Sequence, residues 1–355
     1  MAVVVFRGLL GEDEDHSVIG NDPWFRQVGK TSKTLRFELP PDEHFESALL
    51  GHSNLILDQG PLTVAALGWN PPEGSVHFHV SLLSWNENSV LGQIPPPTEV
   101  ESRIIEEQIA RLNSRKLTVL TGEGLDHAIV FEKRIEIRTV PPSEICKLGF
   151  IASRPDGDGE AEIHRFIDDS LNILAEHEFN VRRMDLGVPP INLCWPWGQG
   201  ERQSVPNRAL ALKYPIKVLA RSLALRGLAK LSGFRPERLS NSLKLDKDLV
   251  LDTIRNEPRS LVVLDCGMQP VKEDDFEYFK DFAAQIGSKI VEPLLDWRLE
   301  SQKSLTFVVT NSSNEGLVAL GVKENERDMF PFDERSLLEK KVEPINLARL
   351  LDYCL

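Results

Sequence analysis

The sequence predicts an α/β protein: a mostly parallel sheet covered by helices on both faces, with a small inserted α+β domain. Three observations predict it. Short runs such as "VVVF" (Val3 to Phe6), "SLVVLDCG" (Ser260 to Gly267) and "SLTFVVT" (Ser304 to Thr310) are apolar without alternation, the pattern of strands buried on both faces. Amphipathic helical patterns lie between such runs, as βαβ units require. From Val76 the order changes to strand, helix, strand, strand within about sixty residues, a compact α+β unit. The expected division is a core of residues 1–58 and 150–355 and an insert of residues 59–149.

The chain opens on the "VVVF" strand, and an acidic loop follows. "FESALLG" (Phe45 to Gly51) reads as a short helix entered through Pro40 and Pro41. In the insert, "VHFHVSLLSW" reads as a strand. "PPPTEVESRIIEEQIARLNSRK" reads as a helix capped by Thr98, with Glu101 three residues on to close a capping box. Its apolar face is Ile104, Ile105, Ile109 and Leu112. "LTVLTGEGLDHAIVFE" gives two strands around a Gly-rich turn. Ile163, Phe166, Ile167, Leu171 and Leu174 mark another helix, and "INLCW" a strand. "PIKVLARSLALRGLAKLSGF" reads as one helix with Ile216, Leu219, Leu223 and Leu231 buried. A helix around Phe279, Phe282, Ile286 and Ile290 and the strands "SLTFVVT" and "GLVALGV" complete the pattern.

At 355 residues the chain suffices for one large or two modest domains, and 41% hydrophobic with 27% charged residues is ordinary globular composition. A formal charge of -13 argues against nucleic acid and anionic membrane surfaces as partners. No apolar run is long enough to span a bilayer, and "MAVVVFRGLLGEDED" lacks the pattern of a signal peptide, so the expectation is a cytoplasmic protein. Cys146, Cys194, Cys266 and Cys354 lack CxxC spacing and read as reduced core residues.

None of the eight histidines lies beyond His177, which excludes mechanisms that draw a histidine from the C-terminal half. His77 and His79 share one face of a predicted strand, as two zinc ligands would, but nothing in the sequence supplies a third; packed histidines are the competing reading. "DGDGEAE" has the composition of a calcium loop without its twelve-residue pattern and reads as an acidic turn. Lys213, Lys217, Arg221, Arg226 and Lys230 concentrate cations on one segment, facing either an anionic ligand or the chain's own carboxylates. "WPWGQG" (Trp195 to Gly200) joins two tryptophans to two glycines at a strand end, where ligands of open α/β sheets sit; Trp195 and Trp197 are packing groups or a ligand platform. No GxSxG, Walker or GxGxxG motif is present.

"GVPPINLCWPWGQG" (Gly187 to Gly200), followed by "LKYPIKVLARSLALRGLAKLSGF", resembles the archaeal-type cofactor-independent phosphoglycerate mutases of the alkaline phosphatase superfamily. "QGPLTVAALG", "GSVHFHVSLLSWNEN" and "IIEEQIARLNSRKLTVLTGEGLDHAIVFE" are similar to further stretches of that family, so the resemblance covers nearly the whole chain. It implies an alkaline-phosphatase-like fold and, in active members, two divalent metals such as manganese with a serine that carries the phosphoryl group between two hydroxyls.

The resemblance also implies that the ligand positions have changed. The family's first metal-binding strand ends in Asp-Gly; this one ends in Arg7 and Gly8. The serine position falls at about Asp42. Its Asp-Glu-Ala-Gly-His becomes "MQPVK", with Met268 and Lys272 at ligand positions. Its Asp-His-Ser-Thr becomes Ser312 and Ser313 in "TNSSNEG", and its last histidine falls at Asn325. Arg and Lys at these places repel dications and the neutral side chains supply no compensating charge, so the expectation is that the metals are lost and no catalytic residue is intact. The expected function is a catalytically silent binding or regulatory protein, taking a phosphorylated small molecule or a partner protein. Arg7, Trp195, Trp197, Gln199, Arg202 and Lys272 are the candidate ligand-binding residues. An active mutase or phosphatase with a divergent site, and a structural subunit holding a partner chain, are the alternatives.

Overall fold

The computed structural model describes residues 1–10, 18–20, 22–40, 43–52, 55, 57–86, 89–91, 94–240, 243–266, 276–301, 303–311, 315–321, 332–333, 336 and 342–354. In chain order the elements begin β1 (Ala2–Arg7), α1 (Pro23–Lys30), β2 (Ser32–Glu38), α2 (Phe45–Leu49), α3 (Gln59–Ala66), β3 (Val76–Asn86) and β4 (Ser89–Leu91). There follow α4 (Glu99–Ile109), β5 (Leu117–Glu123), β6 (Asp126–Phe131), β7 (Ile137–Arg138), α5 (Pro142–Leu148), β8 (Asp156–Gly157), α6 (Glu160–Leu174), α7 (Glu178–Asp185) and β9 (Leu193–Glu201). The chain continues through α8 (Arg208–Ala211), β10 (Lys217–Ala220), α9 (Leu223–Leu231), β11 (Arg235–Arg238), α10 (Leu243–Asn256) and β12 (Ser260–Asp265). It closes with α11 (Phe276–Ile286), a π-helical turn (Gly287–Val291), α12 (Glu292–Ser301), β13 (Leu305–Thr310), β14 (Glu315–Gly321) and α13 (Leu350–Cys354).

Two compact units result, residues 1–56 with 206–355 and residues 57–205. The first carries a seven-stranded sheet in the order β11-β10-β12-β1-β13-β14-β2. Its first five strands are parallel, and β14 runs antiparallel to both of its neighbours, β13 and β2. Val3, Val4, Val5 and Phe6 of β1 are all buried because the strand is central and covered on both faces. On one face Val4, Phe6, Val262 and Phe307 pack with Phe25 of α1, Ile254 of α10, Ile286 of α11 and Leu294 of α12. On the other, Thr306 bonds Cys354 at the end of α13, and α9 packs on β10.

"PIKVLARSLALRGLAKLSGF" is strand β10 followed by helix α9, a correction to the single helix expected of it. Val218, Leu219 and Ala220 are an unbroken apolar run that satisfies a parallel strand as well as a helix face, and Ser222 stops the run by capping Leu225 N–H. The five cations therefore share no helix face. Lys217 lies on the strand, Arg226 is buried, and Lys213 holds a left-handed φ of 61° before the strand begins.

The second unit holds an antiparallel sheet in which β3 pairs with β4, β6 and β9, and β5 extends β6. Phe78, Ile129, Ile105, Ile163, Phe166 and Trp195 share its core. The expected insert ended at residue 149, whereas the compact unit runs to 205, because β9 pairs with β3 and so draws α5 to α7 with it. The capping box of α4 forms as the sequence predicts: Glu101 N–H donates to Thr98 Oγ1, and Thr98 N–H donates to Glu101 Oε2 at 2.7 Å. Among the described residues no helix is long and apolar enough to cross a membrane.

Candidate functional site

In the first unit, the parallel strands end their carboxyl edges in polar residues. β1 and β12 run in register, so that Arg7 pairs with Asp265. The backbone there is pinned: Cys266 N–H donates to Arg7 O at 2.9 Å, and Gly8, at φ 69°, donates its N–H to Thr310 Oγ1 at 3.0 Å. Glycine supplies the left-handed turn that lets the chain leave β1 at this point.

The Arg7 guanidinium turns to carboxylates of its own chain. Nη1 lies 2.6 Å from Glu46 Oε1 and 4.0 Å from Asp265 Oδ1, and the group sits 5.1 Å over the Phe45 ring. α2 delivers both Phe45 and Glu46, the acid lying in its first turn. Burial pushes the Asp265 carboxyl above its ordinary range; Arg7 pulls it down, Glu46 pushes it up, and Arg221 adds a smaller downward pull.

Beside this cluster lies a cavity of about 80 Å³, lined by Arg221, Ser240, Asp246, Asp265, Cys266 and Phe282 among others. Asp246 Oδ1 accepts Ser240 N–H at 2.8 Å. Cys266 is buried, its thiol directed to Leu264 O and its pKa raised by burial, so it is an inert wall rather than a nucleophile.

The "WPWGQG" residues lie in the second unit and are not a loop: they form the body of β9. Trp195 is fully buried and donates Nε1–H to Val140 O at 2.8 Å. Trp197 donates to Ser81 Oγ at 2.9 Å and meets His79 edge-on. Gln199 accepts from Thr139 Oγ1, and Arg202 donates to Asn70 Oδ1 at 2.6 Å. The glycines serve close packing. A Cβ on Gly200 falls 2.3 Å from Asp58 Oδ2, and one on Gly198 falls 2.7 Å from Gln59 Cβ. The start of α3 therefore rests directly on β9, which needs no ligand to explain the motif.

His77 and His79 are both buried. His77 Nε2 meets Ser75 Oγ at 3.0 Å, and His79 lies between Thr63 Oγ1 and Asp126 Oδ1. His79 has partners on both ring nitrogens, whereas the buried Nδ1 of His77 has none; both pack within the second unit. "DGDGEAE" folds as a two-residue bridge to Ile137 and Arg138 and then the left-handed Gly159 ahead of α6.

Of the sequence-derived ligand positions, Arg7 is described, whereas Asp42, Met268, Lys272, Ser312, Ser313 and Asn325 lie outside the described residues. At Arg7, the position that the resemblance assigns to a metal ligand, the structure shows a guanidinium held by Glu46 and Asp265 of its own chain, and a cation does not ligate a divalent metal. Among the described residues no group of three or more His, Cys, Asp or Glu is placed to hold a metal ion. Glu46, Asp265 and Asp246 were not singled out from the sequence, and Arg221 only as one of five cations on a segment. Their available signal was that "VVVFR" and "VVLD" are buried runs ending in opposite charges.

This sheet, with its helices on both sides, defines an α/β protein of the alkaline-phosphatase-like class. A cofactor-independent phosphoglycerate mutase from Thermoplasma acidophilum superposes with a TM-score of 0.58 at 14% identity over 99% of this chain and 98% of that one. A protein from Pyrococcus horikoshii does so with a TM-score of 0.68 at 13% identity, over 99% and 96%.

By sequence the chain is similar to archaeal 2,3-bisphosphoglycerate-independent phosphoglycerate mutases. It is 22% identical to that of Methanosarcina barkeri over 85% of this chain and 78% of the relative. It is 30% identical to mutase 2 of Methanothermobacter thermautotrophicus, over 41% of this chain and only 37% of the relative's length. No protein-family model matches the sequence.

Proposed function

We propose that this chain is a catalytically silent relative of the cofactor-independent phosphoglycerate mutases that works as a binding or regulatory protein. The observation that carries the reading is the Arg7 guanidinium, held 2.6 Å from Glu46 at the carboxyl end of the central strand. Phosphoryl transfer in the mutase manner requires cations to polarise the transferring group and to lower the pKa of the nucleophile. A guanidinium neutralised by two carboxylates supplies neither effect. The same pairing argues against Arg7 as an anchor for a phosphorylated ligand, because Glu46 and Asp265 already take up its charge.

The active-mutase reading is favoured by the 22% identity to a mutase over most of that relative's length, and one assay separates the two. Purified protein is given 3-phosphoglycerate with excess manganese, and separately with chelator, and 2-phosphoglycerate is followed. No turnover under either condition is the expected result. Turnover abolished by chelator overturns the proposal and locates a metal site among the remaining residues.

A further inference from the structure

The route of the chain through the first unit's sheet singles out one crevice. From β10 the chain crosses through α9 outward to β11, then returns through α10 to β12 and moves on in the opposite direction to β13. The connections leaving β10 and β12 therefore depart to opposite sides of adjacent parallel strands. Such a point leaves a gap at the strands' carboxyl ends, the place where open α/β sheets take ligands. The cavity of about 80 Å³ lies there, between Arg221 at the end of β10 and Asp265 at the end of β12.

Its walls restrict what fits. Asp246 and Asp265 contribute carboxylates and Arg221 a guanidinium, while Phe282, Leu239 and Ile286 supply apolar surface. Asp265 already faces Arg7 at 4.0 Å, which offsets its charge and leaves Asp246 and Arg221 as the complementary pair. A phosphorylated acid would meet two carboxylates and one cation, and a simple amine would leave Arg221 unanswered. The volume admits a molecule of about five to seven heavy atoms.

We infer that this crevice binds a small zwitterion of the amino-acid class, its ammonium toward Asp246 and its carboxylate toward Arg221. The inference rests on the reading of the chain as a binding protein and names the ligand class of that same unit.

The test is ligand-observed NMR and calorimetry on the full chain with glycine and L-serine as probes, and with ethanolamine (cationic only) and 3-phosphoglycerate (anionic only) as controls that carry one sign of charge. Saturable binding of the amino acids, with neither control binding, is expected. Arg221→Ala, which alters an exposed side chain, should weaken it about tenfold or more. Asp246→Asn should do the same; if that variant fails to fold for want of its Ser240 bond, Arg221→Ala alone decides. No amino-acid binding at about 10 mM probe, equal binding of either control, or an unchanged affinity in Arg221→Ala overturns the inference. Failure here leaves the silent-scaffold reading standing, since that reading falls only if phosphoglycerate is turned over.

Discussion

Arg7 and Asp265 are register partners at the ends of neighbouring parallel strands, and Glu46 closes the group from α2. Two buried runs of almost identical apolar character thus end in opposite charges brought face to face. The guanidinium separates two carboxylates that would otherwise repel, since Glu46 and Arg7 push the Asp265 carboxyl in opposite directions.

Removing the guanidinium should therefore cost more than an ordinary surface ion pair. Arg7→Ala is expected to destabilise the protein by about 1–2 kcal/mol, above the roughly 0–1 kcal/mol of exposed pairs. Arg7→Ala/Glu46→Gln should recover part of the loss. Urea denaturation of the single and double variants measures the coupling, and additive losses would show that the pair contributes nothing.

The glycines of β9 are required by the approach of α3. Gly200→Ala places a methyl 2.3 Å from Asp58 Oδ2 and 2.7 Å from its Cβ, and a loss of about 1–3 kcal/mol is expected from forced displacement. Gly198→Ala adds strain at φ 60° to its clash with Gln59. Gly74→Ala, with nothing within 4 Å at φ 74°, isolates the backbone part and should cost about 1 kcal/mol. Thermal melts of the three variants order them.

Trp195 is a packing residue. Trp195→Ala should cost about 3–5 kcal/mol, while Trp195→Phe keeps most of the volume and loses the bond to Val140 O, for about 1–2 kcal/mol. Binding of the amino-acid probes should be unchanged in Trp195→Phe. A large change in affinity with little change in stability would instead make the residue a ligand contact.

Acid should weaken the fold well before the carboxylates titrate. Burial lowers His52, His77 and His127 from 6.5 to about 4. The unfolded chain binds these protons below about pH 6.5 while the folded chain refuses them until about pH 4, so stability is complete above pH 6.5 and falls across that window. Each histidine contributes up to about 3 kcal/mol of this loss. Asp22, Asp58 and Asp265 are raised by burial and act in the opposite sense, since the folded state takes up their protons first as the pH falls. Denaturation midpoints at pH 7 and at pH 5 measure the net effect. Equal midpoints would mean that the loss from the imidazoles is absent or fully offset by these carboxyls, and a lower midpoint at pH 5 that the imidazoles dominate.

The helix cap of α4 offers a local control. Thr98→Ala removes the acceptor for Glu101 N–H and should cost about 1 kcal/mol, with Thr98→Ser nearly neutral. Circular dichroism melts suffice to measure it.

Much of this was legible along the chain, because it rests on local chemistry. Val3 to Phe6, Ser260 to Asp265 and Leu305 to Thr310 are apolar without alternation, short and rich in β-branched residues, the pattern of a strand covered on both faces. Thr98 and Glu101 announce their helix because a capping box closes within four residues. The class of fold followed from these elements, as did the kinship with the mutases from longer stretches of sequence.

Tertiary structure decided the rest. Whether "KVLA" is strand or helix depends on the edges that β11 and β12 offer it, and whether "WPWGQG" is ligand loop or strand depends on β3 and on the start of α3. The meeting of Arg7, Glu46 and Asp265 joins residues 39 and more than two hundred positions apart, through strand register. Local sequence determines which backbone conformation a segment favours; which charges then stand opposite one another is set by how the strands align, and no single segment carries that information.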